Sequence, residues 1–207
     1  MIHECHIDTL TLPDVPGPFE FTPEIDVRLI AFWATNSKGD YLEIGCNTGR
    51  TLKQIASLCP DKICRGVDWS KNEILWDTQQ TEIPLKVGSN IEKKSENIRV
   101  FDCDALTLEM HDFNFGCVFL DAEHSLEFQK EMFKKLWNSN NYRDWILIVH
   151  DCPNVGSSYS FSHLETLAFL RYVGSMFPVT HWIGSNCATA FITRRGSEST
   201  PRADPGS

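Results

Sequence analysis

The sequence predicts an α/β domain on a mostly parallel sheet that ends in an antiparallel hairpin. Three observations carry that expectation. Short apolar segments alternate with segments of helical period from Thr22 onward. A glycine turn follows the first apolar segment, and the last two are separated only by the hairpin-like turn Gly184-Ser185-Asn186.

The elements follow in order. Pro13, Pro16, Gly17 and Pro18 predict an extended arm over 1–21. Thr22, Pro23 and Glu24 then read as N-cap, first-turn proline and first-turn acid. Ile25, Leu29, Phe32 and Trp33 behind them recur at helical spacing, so a helix runs to about Ala34. Tyr41 to Ile44 is a strand running into glycines, and Leu52, Ile55, Ala56 and Cys59 mark a helix that Pro60 ends. Strands are expected at Ile63 to Val67 and Ile98 to Phe101, with a polar stretch between them, and at Cys117 to Leu120. The next helix, Leu126 to Trp137, turns Phe128, Met132, Phe133, Leu136 and Trp137 inward. A strand at Trp145 to Val149, a helix from His163 to Met176, and strands at Val179 to Ile183 and Ala188 to Thr193 complete a single domain over 22–195. The tail over 196–207 is rich in Ser, Pro, Gly and charge, a composition of disorder.

Composition narrows the function classes. At 207 residues and 42% hydrophobic content, one core is expected. A net charge of −9 without a basic patch argues against nucleic acid and anionic membrane as partners. No apolar run reaches the length of a membrane span, and Met-Ile-His-Glu-Cys lacks the regions of a signal peptide, so a cytoplasmic protein is expected. Cys59, Cys64, Cys117 and Cys187 fall in predicted buried segments, without a C-x-x-C pair, and read as reduced core residues. His3, Cys5 and His6 form a compact group with no second pair at zinc-finger spacing.

Leu42-Glu43-Ile44-Gly45-Cys46-Asn47-Thr48-Gly49 is a strand, a glycine turn and a helix start. Bare backbone at Gly45 and Gly49 allows a ligand to approach the main chain. Asn47 replaces the middle glycine of a dinucleotide fingerprint, and Glu43 would repel phosphate while suiting a cationic amino group. Asp68, ending the second strand, is placed to accept from both ribose hydroxyls; the alternative is a helix N-cap supplied by Asp68 or Ser70. Neighbouring Trp69 is a candidate to stack on a base. Of Asp102 and Asp104 after the third strand, one is a cap, and Asp104 is preferred as the ligand group.

Together with the closing hairpin, these motifs resemble the class I S-adenosylmethionine-dependent methyltransferases, over about Thr22 to Arg194. Phe119-Leu120-Asp121-Ala122-Glu123-His124-Ser125 and Ile148-Val149-His150-Asp151 are similar to the methyltransferase domain 24 group, which includes macrocin-type sugar O-methyltransferases and cephalosporin-hydroxylase-like proteins. Ala122 stands for that group's glycine, Leu126 for its aromatic, and Met132 where an aspartate is common.

The resemblance implies a seven-stranded sheet in the order 3-2-1-4-5-7-6 and S-adenosylmethionine bound over strands one and two. It implies O-methylation of a small hydroxylated acceptor, with Asp121, His124 and His150 beside the methyl group. It also implies Mg²⁺ or another divalent cation on Asp121 and Asp151, since related sugar and catechol O-methyltransferases hold magnesium on acids at these strand ends. His150 or His124 as a further ligand would favour Mn²⁺ or Fe²⁺. The competing reading has Asp121 capping the next helix and His150-Asp151 bonding a neighbouring loop. A nicotinamide-dependent oxidoreductase and a degenerate, non-catalytic adenosyl-binding module are the alternative functions. The loop Cys152 to Tyr159 has the composition of a lid, and the chain is compatible with a homo-oligomer.

Overall fold

The computed structural model describes residues 12, 22–70, 74–76, 82–84, 86–91, 95–152, 161–182 and 185–193. The expected arm apart from Leu12, the His3, Cys5 and His6 group, most of the expected lid and the tail lie outside the described residues.

The chain opens with α1 (Glu24–Asn36), β1 (Asp40–Ile44), α2 (Arg50–Leu58) and β2 (Cys64–Asp68). Two short strands follow, β3 (Ile74–Trp76) and β4 (Glu82–Pro84), before β5 (Ile98–Asp102) and β6 (Phe115–Leu120). Then come α3 (Leu126–Ser139), β7 (Asp144–Val149), α4 (Phe161–Gly174), β8 (Val179–His181) and β9 (Ala188–Thr193). The main sheet has seven strands in the order β5-β2-β1-β6-β7-β9-β8. Only β9 runs against the other six strands, antiparallel to β7 and to β8. Counted along the main sheet alone, this is the expected 3-2-1-4-5-7-6.

Strands covered on both faces read as continuous apolar runs, and every residue of β6 is buried. One face packs α1 and α2 through Val27, Ile30, Leu52 and Ile55. The other packs α3 and α4 through Met132, Phe133, Leu136 and Phe169. Phe133 meets Phe169, Tyr172 and Phe177 edge to face, which joins α3 to α4 and to the turn before β8. The cysteines read as reduced core residues, Cys59, Cys64, Cys117 and Cys187, are buried and free.

Three expectations are corrected. Thr22 does not cap α1: Pro23 holds that position without a side-chain bond. The apolar stripe of α1 is shifted by one residue, so Ile25 is 38% exposed and Asp26 is fully buried. The stretch between β2 and β5 holds an antiparallel hairpin, with Ile74 opposite Pro84, and the apolar alternation there is too short to announce it. Among the described residues, no helix is long and apolar enough to cross a membrane.

Candidate active site

Parallel pairing sets the site. Ile44 of β1 lies opposite Leu120 of β6, and Leu120 lies opposite Val149 of β7. The residues that follow, Gly45, Asp121 and His150, therefore emerge side by side at the carboxyl edge of the sheet, where α/β sheets bind ligands.

The glycine loop is closed on itself. Gly45 N–H and Cys46 N–H donate to Val67 O, Asn47 N–H to Asp68 Oδ2 at 2.6 Å, Thr48 N–H to Asn47 Oδ1, and Gly49 N–H to Cys46 O. Each amide from Gly45 to Gly49 thus has an acceptor inside the protein, and the loop offers none of them to a pyrophosphate. Asn47, Gly45 and Gly49 all take positive φ. The bare face of Gly45 was expected to admit a ligand, but a Cβ there would run into the Asp121 carbonyl. Close approach of the β1 and β6 turns fills that space. At Gly49 the corresponding neighbour is the Ile91 side chain, at 2.9 Å.

Glu43 lies beneath the loop and not in it. It is 2% exposed and accepts from Tyr41 Oη–H at 2.9 Å, and burial raises its carboxyl well above the usual range. Its expected direct role toward a cationic amino group is therefore not what this geometry offers. Asp68 holds Asn47 N–H with one oxygen and Trp69 N–H with the other, and burial raises its pKa as well. The helix that Asp68 or Ser70 would cap falls on residues 71–73, outside the described residues. Trp69 is 43% exposed. Asp102 binds Ser70 through N–H and Oγ, while Asp104 Oδ1 accepts from Leu106 N–H and closes the turn after β5.

The second half of the site is a group of acids around one imidazole. His150 Nδ1 lies 3.0 Å from Asp121 Oδ1 and 3.2 Å from Asp151 Oδ1, and its Nε2 lies 3.3 Å from Asp26 Oδ2. His124 Nε2 lies 3.2 Å from Asp151 Oδ2. Burial alone would lower the His150 pKa. Hydrogen bonds to Asp121, Asp151 and Asp26 outweigh it and push the value up to about 12, while the bond from His150 lowers that of Asp151. Asp151 adopts φ +53, a left-handed conformation that aspartate tolerates better than most residues. Asp121 does not cap α3, because Ser125 Oγ does so by accepting from Phe128 N–H. Met132, where an aspartate is common in the similar group, is fully buried in the core.

Sequence reasoning missed Asp26 and Ser185. Asp26 Oδ1 accepts from Ser185 Oγ at 2.5 Å and from Asn186 N–H at 3.0 Å. The available signal was an acid within the apolar stripe of α1, flanked by Val27, Leu29 and Ile30.

No protein-family model and no curated protein matches the sequence. Solved structures do match. A protein assigned as a caffeoyl-CoA O-methyltransferase from Staphylococcus aureus has 14% identity and a TM-score of 0.62, over 84% of this chain and 86% of that one. The Podospora anserina methyltransferase PaMTH1, solved with S-adenosylhomocysteine, has 12% identity and a TM-score of 0.58, over 84% and 80%. The O-methyltransferase TomG of tomaymycin synthesis, from Streptomyces achromogenes and bound to S-adenosylmethionine, has 14% identity and a TM-score of 0.56, over 87% and 82%. At such identities the likeness is one of architecture. The chain has the Rossmann-like class I methyltransferase fold.

Proposed function

We propose that the chain is an S-adenosylmethionine-dependent methyltransferase that acts on a hydroxyl of a small molecule with a divalent cation. The observation that carries this reading is the grouping of Asp121, His150 and Asp151, whose ligand atoms lie within 4.8 Å of one another beside the glycine loop. Metal bonds of about 2.1 Å at a right angle set neighbouring ligand atoms about 3.0 Å apart. The 3.0 and 3.2 Å separations from Nδ1 to the two carboxylates fit that edge. The imidazole favours Mn²⁺ or Fe²⁺ over Mg²⁺.

Asp68, Trp69 and Asp104 would hold the donor, and the loop from Gly45 through Asn47 to Gly49 would border it and fix Asp68 through the Asn47 amide. Asp68 keeps lone pairs for the ribose hydroxyls beyond its two backbone bonds, and Trp69 offers an indole face to the adenine. Glu43 supports the loop from below through Tyr41. Bound S-adenosylmethionine supplies an electrophilic methyl group, and a bound divalent cation lowers the pKa of a hydroxyl and orients its oxygen. His124, with a side chain 26% exposed, is free to take the acceptor's proton, whereas His150, at 6%, is engaged at both ring nitrogens. With Nε2 donating to Asp151, His124 accepts that proton at Nδ1.

Carboxylate oxygens within 3.0 to 3.3 Å of both ring nitrogens of His150 favour a second reading, in which the imidazolium is itself the cation between the carboxylates. Transfer of labelled methyl groups to a panel of small hydroxylated acceptors, with and without EDTA, separates the two. Turnover lost in EDTA with donor binding intact supports the metal. Full turnover in EDTA supports the imidazolium, and binding of NAD⁺ in place of S-adenosylmethionine overturns both.

A further inference from the structure

We infer that Asp26 is a positioning residue that fixes His150 with its Nδ1 lone pair toward Asp121 and Asp151, and so makes that histidine a metal ligand. This rests on the metal reading above. An imidazole ligates only through a nitrogen without a proton, and the hydrogen bond made by the other nitrogen selects which one that is. Here the partner of Nε2 is Asp26 Oδ2, at 3.3 Å. Asp26 has no exposure, and its other oxygen is held by Ser185 and by the Asn186 amide. The carboxylate is thus anchored from behind, and the oxygen it turns to His150 can only accept.

With a cation in place of the proton that Asp121 Oδ1 and Asp151 Oδ1 share with Nδ1, a ring whose Nε2–H donates to Asp26 turns its Nδ1 lone pair to that cation. The arrangement is that of a carboxylate, a histidine and a metal in series, with the carboxylate itself hydrogen-bonded. Its parts come from distant stretches of chain: Asp26 from the first turn of α1, His150 from the end of β7, and Ser185 from the turn before β9. A purely structural Asp26, tying α1 to that turn, would need only the oxygen that Ser185 and Asn186 already occupy.

Asp26→Asn is the informative variant. Its carbonyl oxygen can keep the Ser185 and Asn186 bonds, while its amide presents a donor to Nε2. The ring must then accept at Nε2 and carry its proton on Nδ1, where the metal would bind. Mn²⁺ titration of the full chain, followed by electron paramagnetic resonance, reads affinity, and spin-echo modulation reads a directly bound imidazole nitrogen. Wild type should bind one Mn²⁺ with nitrogen modulation, and Asp121→Ala should lose it. Asp26→Asn should bind about 10- to 100-fold more weakly, with the nitrogen signal lost. If Asp26→Asn does not fold, Ser185→Ala, which loosens the carboxylate without removing it, should weaken binding in the same direction by a smaller factor. Unchanged affinity and nitrogen modulation in a folded Asp26→Asn protein would overturn the role of Asp26 and leave the metal reading standing. Absence of Mn²⁺ binding in wild type would overturn the metal reading and this inference with it.

Discussion

Glu43 shows how one residue's position within a strand decides its chemistry. It alternates with Leu42 and Ile44, so its side chain lies on the Tyr41 face, toward α1 and α2, and receives the Tyr41 hydroxyl. A carboxyl raised in the fold above its ordinary value favours the folded state only while it is protonated. That contribution is complete below about pH 4.3 and is lost as pH rises through the raised folded value. Glu43→Gln keeps an acceptor for Tyr41 and removes the titration. It should flatten this part of the stability profile in denaturant melts across pH, and leave donor affinity within about twofold if Glu43 only supports the loop. A loss of donor binding with unchanged melts would return Glu43 to the ligand. Residue type and motif spacing made Asp68 and the glycines legible as candidates, and the resemblance placed Asp121, His124, His150 and Asp151 beside them. They could not reveal that Gly45 faces the chain itself, because that depends on how closely two turns approach.

At the level of elements, backbone bonds join β1 to β6 and β6 to β7 at the edge where the site lies. Ile44 O accepts from Asp121 N–H at 2.8 Å, and Leu120 O accepts from His150 N–H at 3.0 Å. The strand ends are thus laced together just where the acids begin. Both Gly45 and Gly49 have positive φ, but a Cβ at Gly45 meets backbone, whereas one at Gly49 meets the end of the Ile91 side chain. Gly45→Ala should therefore cost at least about 2 kcal/mol, from overpacking and left-handed strain together. Gly49→Ala should cost about 1 to 2 kcal/mol, because Ile91 can move. Equal and small losses in urea unfolding would contradict this assignment. Periodicity located the strands and helices of the main sheet within a few residues. It missed the phase of α1, since Asp26 is polar and is buried only because His150, Ser185 and Asn186 meet it there. Sequence-distant partners of that kind leave no periodic trace.

Taken as a whole, the molecule sets two groups of polar residues on adjacent strand ends of one sheet. The glycine loop, Asp68 and Asp104 follow β1, β2 and β5, on one side of the sheet order, and Asp121, His150 and Asp151 follow β6 and β7 next to it. The topology was legible because alternating segments and a terminal hairpin permit few arrangements, and the resemblance selected one. The acceptor was not legible, since its contacts depend on loop shape. Donor recognition can be tested without knowing the acceptor. Calorimetric titration of wild type and Asp68→Ala with S-adenosylmethionine, S-adenosylhomocysteine and NAD⁺ is the most direct measurement. The account predicts that wild type binds both adenosyl ligands one to one and not NAD⁺, and that Asp68→Ala loses about 2 to 4 kcal/mol of that binding while remaining folded. Absence of adenosyl-ligand binding by folded wild-type protein, or equal affinity in Asp68→Ala, would contradict it.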